Sequence, residues 1–182
     1  MKSPKIKGKI GETSLSLQLK RLDEESYKLI NDIYLDKGNG KTTQIDHVVI
    51  SEYGIFVIET ENYQGWITGY EDSQYWNQTT YKRKEKLYNP IKQNYGHILA
   101  LKEVLKEYPD VPFISIIAFT IKATLKVKTE SHVVYTKQVV KTIKKYTEKV
   151  ISKDDVQKIY ELIMSEKITD KDITRDHVQT IK

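Results

Sequence analysis

The chain contains no cysteine. Disulfides, thiolate zinc sites and cysteine nucleophiles are therefore excluded. No apolar run approaches the length of a membrane span and no secretory leader opens the chain, so the expectation is a cytoplasmic protein without membrane association. Neither a P-loop nor a Gly-x-Ser-x-Gly nucleophile elbow occurs. The four histidines, His47, His97, His132 and His177, lack zinc-ligand spacing. Phenylalanine and tryptophan are scarce, at 3 and 2. Tyrosine, at 13, supplies most of the aromatic content, which suits half-buried sheet faces first and base stacking second.

What remains is a chain of 182 residues, enough for one domain with a real core or one domain with a small extension. Lys and Arg number 30 against 25 Asp and Glu, a formal charge of +5. That balance is compatible with a polyanionic partner and equally with a lysine-rich surface. No internal repeat or low-complexity segment is present.

The chain is organised around Gln44–Glu61. Two β-branched runs, Ile45–Ile50 and Ile55–Ile58, flank Ser51-Glu52-Tyr53-Gly54, the pattern of an antiparallel hairpin. Asp46 interrupts the first run, and Glu59 and Glu61 end the second. Carboxylates rarely enter such apolar strands unless paired, hydrogen-bonded or holding a cation. Alternation puts Ile55, Val57, Glu59 and Glu61 on one face, with the two acids roughly 6.5–7 Å apart. A two-residue turn at Glu52-Tyr53 sets Ser51 against Gly54, Asp46 against Glu59 and Gln44 against Glu61. Opposed Cβ atoms then lie about 4.5–5.5 Å apart. A bulged turn at Gly54 would slip this register by one. Three acids this close repel one another, and a divalent cation removes the repulsion.

Around the hairpin, Leu15, Leu19 and Leu22 form the stripe of a first helix, bordered by Glu12, which is either a site acid or a first-turn acid complementing the helix dipole. Tyr27–Leu35, Trp66–Tyr70, Tyr75–Tyr81, Phe113–Phe119 and His132–Tyr135 are predicted strands, Phe113–Phe119 being a central one. Lys122–Lys128 alternates basic and apolar residues. Lys82–Lys86 is predicted as a charged connection, either a solvated loop or a contact for phosphates through Lys82, Arg83 and Lys84. A helix from Pro90, capped by Asn89, is predicted to run to about Glu107, with Gln93 and His97 on one polar face. Helices at Val139–Tyr146 and Asp154–Met164, the second capped by Ser152, follow, and 169–182 is predicted as a weak helix or frayed tail. The order implies an α/β fold with a mixed central sheet flanked by helices.

Acids on the first helix, in one strand and as Glu-x-Glu in the next point to a Mg²⁺ or Mn²⁺ site, because hard oxygen donors suit such cations. Asp46, Glu59, Glu61 and Glu12 are the candidate ligands, with a plain acid cluster as the alternative. A metal clamp on a basic protein suggests phosphodiester cleavage.

Four segments carry a resemblance. They are Gly8-Lys9-Ile10-Gly11-Glu12, Gln44-Ile45-Asp46-His47-Val48-Val49-Ile50, Gly54 to Gly65, and Asn89-Pro90-Ile91-Lys92-Gln93-Asn94. In order and spacing they closely resemble the NERD domain, the nuclease-related domain, over roughly Ile6 to Thr120. Such domains resemble the PD-(D/E)xK nucleases, which implies a restriction-endonuclease-like core over residues 1–125 and a strand-and-helix extension over 126–182. It also implies metal-ligand or water-orienting roles for Glu12, Asp46 and Glu59, and a site role for Gln93. The implied substrate is DNA, in preference to RNA. Lys92, beside Gln93, is a further candidate for contact with nucleic acid.

One position departs from the family pattern. Where the family has Glu-x-Lys, this chain has Glu59-Thr60-Glu61. Either Glu61 is a third carboxylate ligand, or a nearby lysine such as Lys92 substitutes in space, or the protein is impaired. The alternative function is therefore a catalytically inactive nucleic-acid-binding or scaffold module.

Overall fold

A computed structural model describes residues 14–37 and 41–168. Expectations for Glu12 and for both chain ends fall outside these residues. The described part of helix α1 covers residues 14–19. It is followed by β1 (Tyr27–Asp36), β2 (Thr42–Ser51), β3 (Gly54–Glu61), β4 (Gly65–Tyr70), β5 (Tyr75–Thr79) and β6 (Lys84–Tyr88). Helix α2 (Pro90–Val104) comes next, then β7 (Phe113–Phe119), β8 (Ala123–Lys128) and β9 (His132–Tyr135). A short 3₁₀ turn leads to α3 (Val139–Ile143) and α4 (Lys153–Ser165). The architecture is α/β, with mixed sheets and flanking helices. Among the described residues no helix is long and apolar enough to cross a membrane.

Two sheets form. The larger runs β1-β2-β3-β7-β9, and the smaller β6-β5-β4-β8. In the larger, β1, β2 and β3 are antiparallel neighbours, and β7 and β9 join parallel to β3. The fully buried run Phe56-Val57-Ile58 needs cover on both faces, as the centre of a mixed sheet provides. Helices α2 and α4 cover one face, where Leu101 and Ile159 meet Val48, Ile50, Ile55 and Val57. Leu15 and Leu19 of α1 and Val139 and Ile143 of α3 cover the other, against Val49, Phe56 and Ile58.

The hairpin turn is the two-residue one, with Ser51 opposite Gly54. Gly54 adopts φ 132°, and a Cβ there would collide with Ile114. Only glycine combines that backbone with that approach.

The parallel pair β3–β7 breaks and resumes as β4–β8. Glu61 pairs with Phe119 before the break, and Gly65 with Ala123 after it. Two backbone bonds bridge the gap, from Thr120 N to Glu61 O at 3.0 Å and from Gly65 N to Lys122 O at 3.1 Å. The small sheet thus grows from the C-terminal end of the central strands. Trp76 stacks on Phe119 at 6.4 Å between centroids, and a methyl on Gly69 would collide with the Trp76 indole.

Several predicted bounds are corrected. The charged stretch Lys82–Lys86 is not all connection: Lys84–Tyr88 forms β6, because Leu87 has a buried slot beside Trp76. Strand β5 ends at Thr79 rather than Tyr81. Helix α2 ends at Val104, not Glu107, with Leu105 as its C-cap. Helix α3 ends at Ile143, short of Tyr146.

Candidate active site

Glu59 lies near the C-terminal end of β3 and shares the α2-facing side with Ile55 and Val57. It is 6 % exposed, so its carboxylate needs internal partners. Helix α2 supplies both. Gln93 Nε2 donates to Oε1 at 2.5 Å, and His97 Nε2 lies 3.0 Å from Oε2. The hydroxyl of Thr43 on β2 pairs with His97 Nδ1 at 2.7 Å and fixes the ring from behind. Gln93 and His97 are four apart, so one helical turn stacks them over a single carboxylate.

Helix α2 is itself held in place by the motif that starts it. Asn89 Oδ1 accepts from Ile91 N at 2.9 Å, and Pro90 occupies the first helical position. The same Asn89 amide donates to Glu71 O at 2.8 Å and Ser73 O at 2.7 Å, tying the cap to the small sheet. Asn94 donates to Val57 O and to Ser115 Oγ, both at 2.8 Å, tying the helix to β3 and β7.

Asp46 reaches the end of β3 from β2. The recorded pairing of these strands stops at His47 opposite Ile58, one step before Asp46 and Glu59. Asp46 instead accepts from the backbone N–H of Thr60 through Oδ2, at 2.8 Å. The expected pairing of Gln44 with Glu61 does not form. Beyond Asp46 the strand stays with β1, where Gln44 pairs with Tyr34 and its amide donates to Asp32 at 2.6 Å.

Both β1 and β2 change face at this point. Ile30 and Ile33 lie in the same core cluster, as do Ile45 and Val48, so each strand takes three residues to return to one side. The register passes from Asn31–His47 to Ile33–Ile45, stepping over Asp32 and Asp46. Asp32 has φ 51°, the left-handed backbone that breaks the pleat.

Glu61, half-buried, completes the group. Burial pushes its carboxyl well above the ordinary carboxylate range, and the charges of Glu59 and then Asp46 push it further. The Tyr63 hydroxyl is raised by burial first, then by Glu61 and Glu59. Glu59 and Asp46 thus act on Glu61 electrostatically, and Gln93 touches Glu59 directly.

Among the described residues no three acids or histidines lie together as a finished metal cage. The fit to a hard divalent cation comes from the chemistry of the group. All the donors are carboxylate oxygens, and their mutual repulsion would be relieved by positive charge. Glu12 lies outside the described residues.

The basic candidates are placed separately. Lys82 and Arg83 line an open cavity of about 550 Å³ with Gln64, Gln78, Thr80 and Tyr81, and Arg83 pairs with Glu85 at 3.1 Å. Lys84 pairs with Thr79 across the small sheet. Lys92 is exposed on the first turn of α2. Tyr63 and Thr43 are not among the site residues that the sequence points to. Thr43 carries no signal there, whereas Tyr63 lies inside the segment Gly54 to Gly65 that carries the resemblance.

Comparison with known proteins supports the same segments. The family model of the nuclease-related domain matches residues 7–120. An uncharacterized protein of Bacillus anthracis is 41 % identical over 180 residues, spanning 97 % of this chain and 84 % of that protein. No solved structure matches significantly.

Proposed function

This chain belongs to the nuclease-related domain family, and from that premise we propose that it is a metal-dependent nuclease hydrolysing the phosphodiester bonds of DNA. One observation carries the reading: at the C-terminal end of β3, Gln93 and His97 hold both oxygens of buried Glu59, while Asp46 reaches the N–H of the next residue, Thr60. That end of a parallel strand is where α/β sheets bind ligands.

Asp46, Glu59 and Glu61 would hold Mg²⁺ or Mn²⁺, with Glu12 as the fourth candidate. Such a cation, when bound, polarises the phosphate and lowers the pKa of water. The chain's own groups prepare the site. Gln93 and His97 fix both oxygens of Glu59, and Thr43 fixes His97. The Thr60 N–H holds one oxygen of Asp46. These contacts remove rotamer freedom before substrate arrives, which lowers the ordering cost of the reaction. Lys82, Arg83, Lys84 and Lys92 are assigned to DNA contact, and the compartment assigned is the cytoplasm. Residues 1–125 are assigned to the nuclease core and 126–182 to an extension of the same domain, since Val156, Ile159 and Ile163 of α4 pack into the core under α2.

The test is cleavage of supercoiled and linear DNA with Mg²⁺ or Mn²⁺, beside Asp46→Ala and Glu59→Ala. Loss in both variants supports the reading, and equal cleavage by all three proteins refutes it. The second reading, a non-cutting nucleic-acid-binding or scaffold module, rests on Glu61 standing where the family has lysine. Glu61→Lys separates the two: cleavage gained by the variant and absent from the unaltered chain marks a disabled enzyme.

A further inference from the structure

The small sheet has one face in the core and one in solvent. Ile67, Trp76, Leu87 and Ala123 point inward. The alternate positions point out, and the register brings them side by side. Four of them are aromatic: Trp66, Tyr70, Tyr75 and Tyr88 are 53 %, 61 %, 48 % and 47 % exposed. Four more are lysines, Lys84, Lys86, Lys126 and Lys128. The rest are Asn77 and threonines, with no acid among them.

Rings and cations are interleaved. Lys126 Nζ lies 3.6 Å from the centroid of Trp66. Lys128 lies 5.9 Å from that of Tyr70, and Lys86 6.0 Å from that of Tyr75. Half-exposed rings leave apolar area in water, and four lysines with no acid on the face repel one another. A partner offering both flat rings and regularly spaced negative charge relieves both costs. Unpaired nucleotides offer both, because every base has a π-face and every link a phosphate. Duplex bases are already stacked on one another, so they cannot stack on these rings.

Two short stretches of chain link the face to the acids and to Gln93. Trp66 follows Glu61 by five residues, a reach of at most about 18 Å. Tyr88 precedes Gln93 by five, through the buried cap Asn89. We propose that the outer face of the small sheet binds single-stranded DNA, with bases stacked on Trp66, Tyr70, Tyr75 and Tyr88 and phosphates on the four lysines. The neighbouring nucleotides lead towards Asp46, Glu59 and Glu61. The choice of DNA rests on the nuclease reading, whereas the binding of an unpaired strand does not.

The test is fluorescence anisotropy with a labelled oligo(dT) of about 15 nucleotides, in EDTA so that no cleavage occurs. Trp66→Ala and Tyr75→Ala should each weaken binding about tenfold or more, while Trp66→Phe retains it. The chain has two tryptophans, and Trp76 is buried. Oligo(dT) should therefore quench emission that Trp66→Phe removes, and the remaining Trp76 emission and thermal midpoint report an intact fold. Lys126→Ala with Lys128→Ala should flatten the log–log salt dependence by about 1.4, and Lys106→Ala, outside the face, should not. Tighter binding of a duplex or of oligo(U), equal competition by poly-glutamate, or unchanged binding by Trp66→Ala would overturn the proposal. Binding without metal-dependent cleavage defeats the nuclease reading alone; cleavage with unchanged binding by Trp66→Ala defeats this one alone.

Discussion

Gln93 donates its side-chain amide to Oε1 of Glu59 at 2.5 Å, across 34 residues of chain. The bond joins the first turn of α2 to the end of β3 and aims a buried carboxylate. A hydrogen bond to a charged group contributes about 1.5–3 kcal/mol. Partners that orient a metal-ligating group typically alter affinity or activity 10–100-fold. Gln93→Leu should therefore lower DNA cleavage about 10–100-fold at saturating Mn²⁺, with the thermal midpoint lowered by about 3–12 °C. His97→Ala should act in the same direction through Oε2. Full activity in Gln93→Leu would show that Glu59 needs no aim.

Glu61 yields a prediction with two opposite signs. Its folded pKa is raised, by burial first and then by Glu59 and Asp46. Above the ordinary carboxylate range the unfolded chain has released a proton that the folded chain retains. Metal-free stability therefore falls as pH rises through that window. Glu61→Gln should raise the midpoint of unfolding in EDTA near neutral pH, with the gain vanishing in acid. The same variant should weaken Mn²⁺ binding, and the unaltered chain should bind Mn²⁺ more tightly as pH rises, releasing a proton measurable by calorimetry in buffers of different ionisation enthalpy. A variant no more stable in EDTA would mean that Glu59 and Asp46 do not act on Glu61.

How much of this was legible in the sequence depends on the range of each interaction. The hairpin, its turn and the cap at Asn89 are local, and each follows from a few neighbouring residues. Glu59 on the α2-facing side follows from strict alternation, since β3 is regular. Gln93 and His97 could be placed on one helical face but not onto Glu59, because periodicity does not say which strand the helix crosses. Strand β6 alone of the small sheet was concealed, because Lys84-Glu85-Lys86 resembles a loop unless Leu87 has a slot beside Trp76. Alternation failed at Asp46, where β1 and β2 turn over together. The trace left in sequence is the three-residue spacing of Ile30–Ile33 and Ile45–Val48, which resembles noise until the strands are paired.

His47 follows Asp46 and turns into the core, 2 % exposed. Its Nδ1 donates to Asn31 Oδ1 at 2.7 Å, while Nε2 has no hydrogen-bond partner among the described residues. Burial lowers its pKa from 6.5 to about 4, against a smaller upward pull from Asp32. Between those values the unfolded chain binds a proton that the folded chain does not. Stability from this group is therefore whole above pH 6.5 and is lost as pH falls to about 4. The shift corresponds to a loss on the order of 3 kcal/mol. Urea unfolding at intervals from pH 4 to 7 should show the slope, and His47→Gln should flatten it. An equal slope in the variant would assign acid sensitivity to the carboxylates instead.

Asp32 stands on β1 at the register step that faces Asp46 of β2. Its φ of 51° is accessible to glycine, asparagine and aspartate but strained for branched side chains. This one residue lets β1 turn over, and β2, paired to it on both sides, turns with it. Asp32 also accepts from Gln44 at 2.6 Å, so strain and hydrogen bond must be separated. Asp32→Gly keeps the backbone and removes the bond, and should stay within about 1 kcal/mol of the unaltered chain. Asp32→Ile loses both and should cost roughly 1–3 kcal/mol more. If the turnover is what brings Asp46 to the Thr60 N–H, Asp32→Ile should also lose DNA cleavage at temperatures where it remains folded, whereas Asp32→Gly should retain it. Denaturant unfolding and a cleavage assay on the same preparations read both quantities. Equal cleavage by the two variants would mean that Asp46 is placed by β3 alone.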